Sequence, residues 1–296
     1  MSDNMRGSVL MVVAMALFAL EDMFIKLLSA ALPVGQILMV LGTAGALVFG
    51  ALVRLRREPL FPRAMWSAPV VIRNLGEAIG GVCFVLAISL TPLSSASAIL
   101  QAAPLAVTLG AALFLGEPVG WRRWSAILVG FFGVMLIVRP GLDGFEPASL
   151  LAVVAVLALA ARDLATRRVP ARLSGYQLSA WAFAAIVPAG AVMLAIGGAA
   201  PVMPGAVSLA QLAGALVVGL FAYYALVGAV RTGEVAVVTP FRYTRMLFAL
   251  GVGITVFGER PDALMLTGAA IIVAAGLFTI WRETQARASK RATGGV

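Results

Sequence analysis

Ten runs of about 20 apolar residues follow one another through the chain, each long enough to cross the roughly 30 Å hydrocarbon core of a bilayer. They lie near 7–28, 34–53, 68–89, 93–115, 122–139, 148–166, 175–196, 208–230, 235–257 and 263–281. Hydrophobic residues make up 61% of the 296 residues and charged ones 12%. A water-soluble domain cannot hide that much apolar surface, so the solvent of this chain is lipid. The runs are long, rich in Ala and Leu, and do not alternate polar with apolar as barrel strands must. Helices that satisfy their own backbone polar groups are therefore predicted.

The runs repeat. A shift of 141 residues lays 8–26 on 149–167, matching Asp22 with Asp163 and Lys26 with Arg167, and further on Gln36 with Gln177. A shift of 142 lays Gly116-Glu117 on Gly258-Glu259. Matches of Ala and Val are cheap in so apolar a chain; matches of Asp, Gln and Gly-Glu are not. Loops on the side of the N-terminus carry Arg6, Arg54, Arg56, Arg57, Arg63, Arg122, Arg123, Arg167, Arg168, Arg172 and Arg231, joined by Arg282, Arg287, Lys290 and Arg291 of the tail. Opposite loops carry Arg139 and Arg260. That bias predicts a multi-pass protein of the cell inner membrane with both termini in the cytoplasm. Five spans per repeat is an odd number, so the second repeat enters from the opposite face. The expected fold is all-α and polytopic: ten transmembrane helices as two inverted five-helix repeats around a central cavity. The divisions are 1–143 for helices 1–5, 144–282 for helices 6–10, and a cytoplasmic tail, 283–296, expected to be disordered. No cleavable signal is expected, because the first run follows Met5-Arg6 directly and is long enough to span.

Several functions are disfavoured. The chain has no histidine and one cysteine, Cys83, so no metal pattern and no internal disulfide are expected. No phosphate loop or catalytic constellation is found, which argues against an enzyme, an ATP-driven pump and a cofactor. The net charge of +9 sits in short loops between spans, a membrane pattern and not a nucleic-acid one. The partners expected are the bilayer and a small-molecule substrate; the oligomeric state is open and a monomer is compatible with the pattern.

The motif Leu90-Thr91-Pro92 leads into Ala98 to Gln101, then Pro104 and Leu115-Gly116-Glu117; the second half offers Arg231 to Glu234 and Phe257-Gly258-Glu259-Arg260. Glycines follow on the fifth helix of each half, Gly133 and Gly276. Over residues 7–281 this arrangement resembles the EamA family of the drug/metabolite transporter superfamily, and within it the amino-acid exporters of the YddG type. The resemblance implies secondary transport by alternating access, with amino acids, aromatic or other apolar ones among them, and related metabolites leaving the cell; uptake or export of a vitamin or a nucleotide-like compound is the alternative. Two departures stand out. The repeat mate of Pro104 is Met246, and the position at which small multidrug-resistance proteins place a proton-binding Glu holds Phe18. A proton exchange built on that Glu is not carried over.

Charges inside spans are costly, about 2.5–3.5 kcal/mol each at a helix centre on insertion scales, and so mark candidate sites. Arg242 and Arg245 share a face of the ninth span, and their repeat mates are Leu100 and Ala103. They are read as a cationic wall for a substrate carboxylate, or as groups that snorkel or pair with Asp163. Glu77 stands four residues after Arg73, which permits an ion pair along one helix, or leaves a carboxylate for an amino group or a proton. Gly76, Gly80 and Gly81 bare the surface beside it, for close helix packing or for a cavity. The pairs Asp22–Lys26 and Asp163–Arg167 are expected to neutralise each other along their helices. Glu21 has Arg162 as its repeat mate, and neither receives a role. Gln101 needs partners for a buried amide, Phe84 and one of Tyr223 and Tyr224 are candidates to line a cavity, and Glu117 and Glu259 are expected to cap the helix that follows them or to bond to turn backbone. Pro104, Pro188 and Pro240 mark bends. The candidate substrate-binding set is thus Glu77, Gly81, Phe84, Gln101, Asp163, Tyr223, Arg242 and Arg245.

Overall fold

The fold is that of a computed structural model, which describes residues 2–117, 120–142 and 145–293. Regular structure among the described residues is helical throughout. The helices are α1 (Asp3–Ser29), α2 (Val34–Leu55), α3 (Ala68–Leu90), α4 (Leu93–Leu100), α5 (Ala103–Phe114), α6 (Trp121–Val138), α7 (Ser149–Thr166), α8 (Gly175–Ile196), α9 (Ala206–Thr232), α10 (Val235–Val238), α11 (Thr244–Phe257) and α12 (Ala263–Thr293). With α4 and α5 taken as one span, nine helices among the described residues are long and apolar enough to cross a membrane.

The ninth expected span, 235–257, departs from the sequence reading. It is not one helix but α10, a 3₁₀ turn over Thr239–Tyr243, and α11. Pro240 has no N–H to give and crowds the preceding turn, which favours a break there. The fourth span breaks at the corresponding place. There α4 stops at Leu100, α5 starts at Ala103, and Pro104 in the first turn of α5 denies the Leu100 carbonyl its helical donor. Pro188, in contrast, sits inside the unbroken α8. The last helix runs on to Thr293 instead of stopping near 281. Glu, Gln, Ala, Arg and Lys dominate residues 283–292, and these are strong helix formers. The final residues of the tail, 294–296, lie outside the described ones.

Two compact units form, and each draws on both sequence repeats. One comprises residues 21–91 and 148–217, the other 1–20, 92–147 and 218–296. In the first, α2 packs along α8 and α3 along α7. Glycines set the approach: a Cβ on Gly190 would stand 2.7 Å from the Gly35 carbonyl oxygen, and one on Gly76 2.7 Å from that of Ala158. In the second unit α6 lies along α12, where a Cβ on Gly133 would meet the Gly268 carbonyl at 2.8 Å, and α4 packs on α11. Small residues of this kind let backbones come close in lipid, where dispersion and not water exclusion holds helices together. Met11, Ala14 and Met15 of α1 bury against Ala225 and Ala229 of α9 in the same unit. The α2/α8 and α6/α12 pairs, and the broken fourth and ninth spans, are each a helix packed on its own repeat mate.

Candidate functional site

In the first unit the glycine notch between α3 and α7 brings Glu77 up to Arg162. The Arg162 Nη1 donates to Glu77 Oε1 and Oε2 at 3.2 and 3.3 Å, while its Nε and Nη2 reach Asp163 Oδ1 at 2.8 and 2.7 Å. One guanidinium thus serves two carboxylates, leaving a formal charge of −1 inside a span. The Arg162 and Glu77 side chains each retain 23% of their accessible surface. These pairs revise the sequence reading. Glu77 finds its cation across the helix interface, where Arg73 on its own helix was expected; the Arg73 guanidinium turns to the Leu178 carbonyl oxygen at 3.1 Å. Asp163 is held by its own neighbour, where Arg242 or Arg167 was expected, because the adjacent side chain reaches it with two donors. Arg162 had no assigned role. The signal that could have found it was its charge, set four residues inside the end of a span and opposite in sign to its repeat mate Glu21.

The glycines of α3 divide by what they face. Gly76 and Gly80 are packing positions; a Cβ on Gly80 would lie 2.7 Å from Leu159 Cγ, whereas one on Gly81 would come near nothing closer than Ile186 Cδ1 at 3.9 Å. Phe84, one turn further along, is buried. At the end of α3 the Lys26 ammonium donates to the carbonyls of Ile88 and Thr91 at 2.7 and 2.6 Å. A cation at a helix C-terminus satisfies carbonyls that no amide can reach and opposes the helix dipole. Lys26 therefore secures α3, a task beyond the expected pair with Asp22.

The second unit holds the other four candidates. Gln101 is buried, and its amide nitrogen donates to the Arg242 carbonyl at 3.3 Å, joining the break of the fourth span to that of the ninth. The Arg245 guanidinium lies 5.3 Å from the centre of the Phe18 ring, within cation–π range. Arg242 is exposed and Arg245 half-buried; of the two tyrosines, Tyr224 is exposed and Tyr223 half-buried. Glu259 reaches the start of a helix distant in sequence. Gly258 ends α11 at φ +64, a left-handed turn that glycine adopts freely, and delivers the Glu259 carboxylate to the start of α4. There it accepts from Leu93 N at 2.5 Å, Ser94 N at 3.0 Å and Ser94 Oγ at 2.6 Å. Pro92, at the N-cap position of α4, has no side-chain group to offer.

Buried charges, two helices broken near their middles and close glycine packing are features of secondary transporters. The sequence signature of the EamA-like transporter family matches residues 5–139 and, a second time, residues 147–281. The chain belongs to the EamA family. It is 33% identical over 207 residues to a riboflavin transporter of Rhizobium johnstonii, covering 70% of this chain and 68% of that one. An S-adenosylmethionine uptake transporter of Rickettsia prowazekii is 28% identical over 220 residues, 74% of each chain. The pseudopaline exporter CntI of Pseudomonas aeruginosa is 29% identical over 273 residues, 91% of this chain and 94% of its own. One crystal structure shares the fold at TM-score 0.59 and 19% identity, covering 93% of this chain and 96% of that one. This EamA protein is accordingly a polytopic membrane protein and a small-molecule transporter of the drug/metabolite superfamily, not an enzyme.

Proposed function

We propose that this EamA transporter exports amino acids and related carboxylate-bearing metabolites across the inner membrane by alternating access. The observation that carries the reading is the pair Arg242 and Arg245 at the break of the ninth span, arginines that the repeat does not require. Arg offers a planar fork that binds a carboxylate with two hydrogen bonds, and a half-buried fork holds it more strongly than one in water. Arg245, kept in place over Phe18, takes the carboxylate; Gln101 and Tyr223, in the same compact unit, supply polar and aromatic contacts. Within the other unit the Glu77–Arg162–Asp163 cluster carries an excess negative charge, with Gly81 and Phe84 further along α3. Similarity to an exporter over 91% of the chain supports the outward direction. A second reading, uptake of a vitamin or a nucleotide-like compound, is favoured by the riboflavin and S-adenosylmethionine transporters among the relatives.

Flux in proteoliposomes decides between them. Radiolabelled aromatic and aliphatic amino acids, riboflavin and S-adenosylmethionine are each offered to the wild type and to Arg245→Ala. The expected result is amino-acid flux, with affinity about ten- to a hundredfold weaker in Arg245→Ala, the loss of one charged hydrogen-bonding group, and partial recovery in Arg245→Lys. Riboflavin flux without amino-acid flux sinks the first reading in favour of the second.

A further inference from the structure

The two broken spans are repeat mates, and the bond that joins them has an unmade counterpart. A shift of 142 carries Gln101 to Tyr243 and Leu100 to Arg242. The bond from the Gln101 amide to the Arg242 carbonyl therefore maps, under exchange of the repeats, onto a bond from the Tyr243 hydroxyl to the Leu100 carbonyl. Both ends of that second bond stand ready. Tyr243 is 6% exposed, and among the described residues its hydroxyl has no hydrogen-bond partner. The Leu100 carbonyl cannot receive its helical donor, because the residue four along is Pro104. The Tyr243 hydroxyl and the ring edge behind it instead rest against Gly276 of α12, where an added Cβ would overlap the hydroxyl oxygen. A buried, unpartnered hydroxyl costs free energy and calls for an explanation.

We infer that the Gln101–Arg242 bond and a Tyr243–Leu100 bond are alternately made, one in each of the two states of the transporter. This rests on the alternating-access reading above. In an inverted-repeat transporter the two states differ by exchange of the conformations of the repeats. A contact made between the repeats on one side of that exchange is then replaced by its mate on the other. Tyr243 leaves the Gly276 seat as Gln101 releases Arg242, so each state satisfies one polar side chain and leaves the other waiting. The broken fourth and ninth spans thereby form a two-position latch whose donors, a glutamine amide and a phenol, differ enough to bias the populations of the states.

The test reads state populations without substrate. In a Cys83→Ser background, spin labels are placed at positions 168 and 231, and in a second protein at 142 and 199, and interspin distances are measured in nanodiscs. Tyr243→Phe removes a hydroxyl that is idle here and used in the other state. It should raise the population of the present state about two- to tenfold, the weight of one hydrogen bond. Gln101→Met should shift the ratio in the opposite direction by a similar factor, and the double variant should return it to within about twofold of wild type. Gly276→Ala, which unseats the ring while keeping every donor, should move the population in the same direction as Gln101→Met. Shifts of the same sign for Tyr243→Phe and Gln101→Met, or one unchanging distance distribution in every variant, would overturn the latch. Absence of amino-acid flux refutes the proposed substrate and leaves the distance measurements, and hence this test, intact.

Discussion

Replacing Glu259 by Ala removes the acceptor for two backbone amides and one hydroxyl at the start of α4. Hydrogen bonds to a charged group contribute about 1.5–3 kcal/mol each, and they do not add when they share one carboxylate. Loss of a helix N-cap alone costs about 0.5–2 kcal/mol. No local side chain stands in, because the N-cap residue is Pro92. We expect Glu259→Ala to destabilise the folded protein by about 2–4 kcal/mol. Glu259→Gln, which keeps one acceptor oxygen and loses the charge, should cost about half of that, and Ser94→Ala about 1 kcal/mol. Since Ser94 Oγ bonds to the same carboxylate, the double variant should be less destabilised than the sum, with a coupling of about 1 kcal/mol. Gly253→Ala should resemble Glu259→Ala, for the new Cβ would sit 3.0 Å from the Glu259 carboxyl carbon and push it off the amides. Reversible unfolding in mixed micelles of mild and denaturing detergent measures all of these. A Glu259→Ala protein within about 0.5 kcal/mol of wild type, the scatter of ordinary surface substitutions, would refute the capping role.

Two further perturbations follow from the charge map. Arg162→Gln strands two carboxylates in a span and should cost about 2–4 kcal/mol by the same assay, reaching below the range for a fully broken buried pair because each partner keeps some access to solvent; adding Glu77→Gln should recover part of the loss, and a further loss would show that Glu77 is held by something else. At the start of α12, hydrogen bonds from Arg139 and from the Met265 N–H hold the exposed Asp262 carboxyl below its usual range. Its stabilising contribution is present above the ordinary carboxylate pKa and is lost as pH falls through the depressed one. The melting temperature should therefore drop more steeply under acid conditions in wild type than in Asp262→Asn, and parallel acid profiles would contradict the assignment.

The span pattern was legible because about 20 apolar residues in a row admit few structures, and the ends of most helices fall within a few residues of the expected ones. The broken ninth span was hidden: Pro240 was visible as a bend, but a turn of 3₁₀ helix needs the surrounding packing to hold it. The ionic contacts were the least legible. Sequence spacing points to partners three or four residues away, so Glu77 suggested Arg73 and Asp163 suggested Arg167. The glycine contact of Gly76 with α7 instead brings Arg162 within reach of Glu77 from 85 positions along the chain. Glu259 shows the same limit: a turn glutamate suggested the next helix or its own turn, and its carboxylate serves an amide 166 residues upstream. Contacts of this range exist only once two helices have been brought together.

The pairing of helices with their own repeat mates has a consequence for biosynthesis. When the ribosome has released residues 1–143, α2, α3 and α6 are in the bilayer with none of α7, α8 or α12 yet made. Neither compact unit can close at that stage, because each takes helices from both ends of the chain. The first five spans must wait in lipid with their glycine faces, Gly35, Gly76 and Gly133, open to acyl chains or to the wrong neighbours. Assembly is thus late and depends on contacts distant in sequence, the kind that makes folding slow. The same arrangement predicts that 1–143 and 144–296, made as two separate polypeptides in one membrane, carry between them the helix faces that α2/α8, α3/α7 and α6/α12 pairing needs.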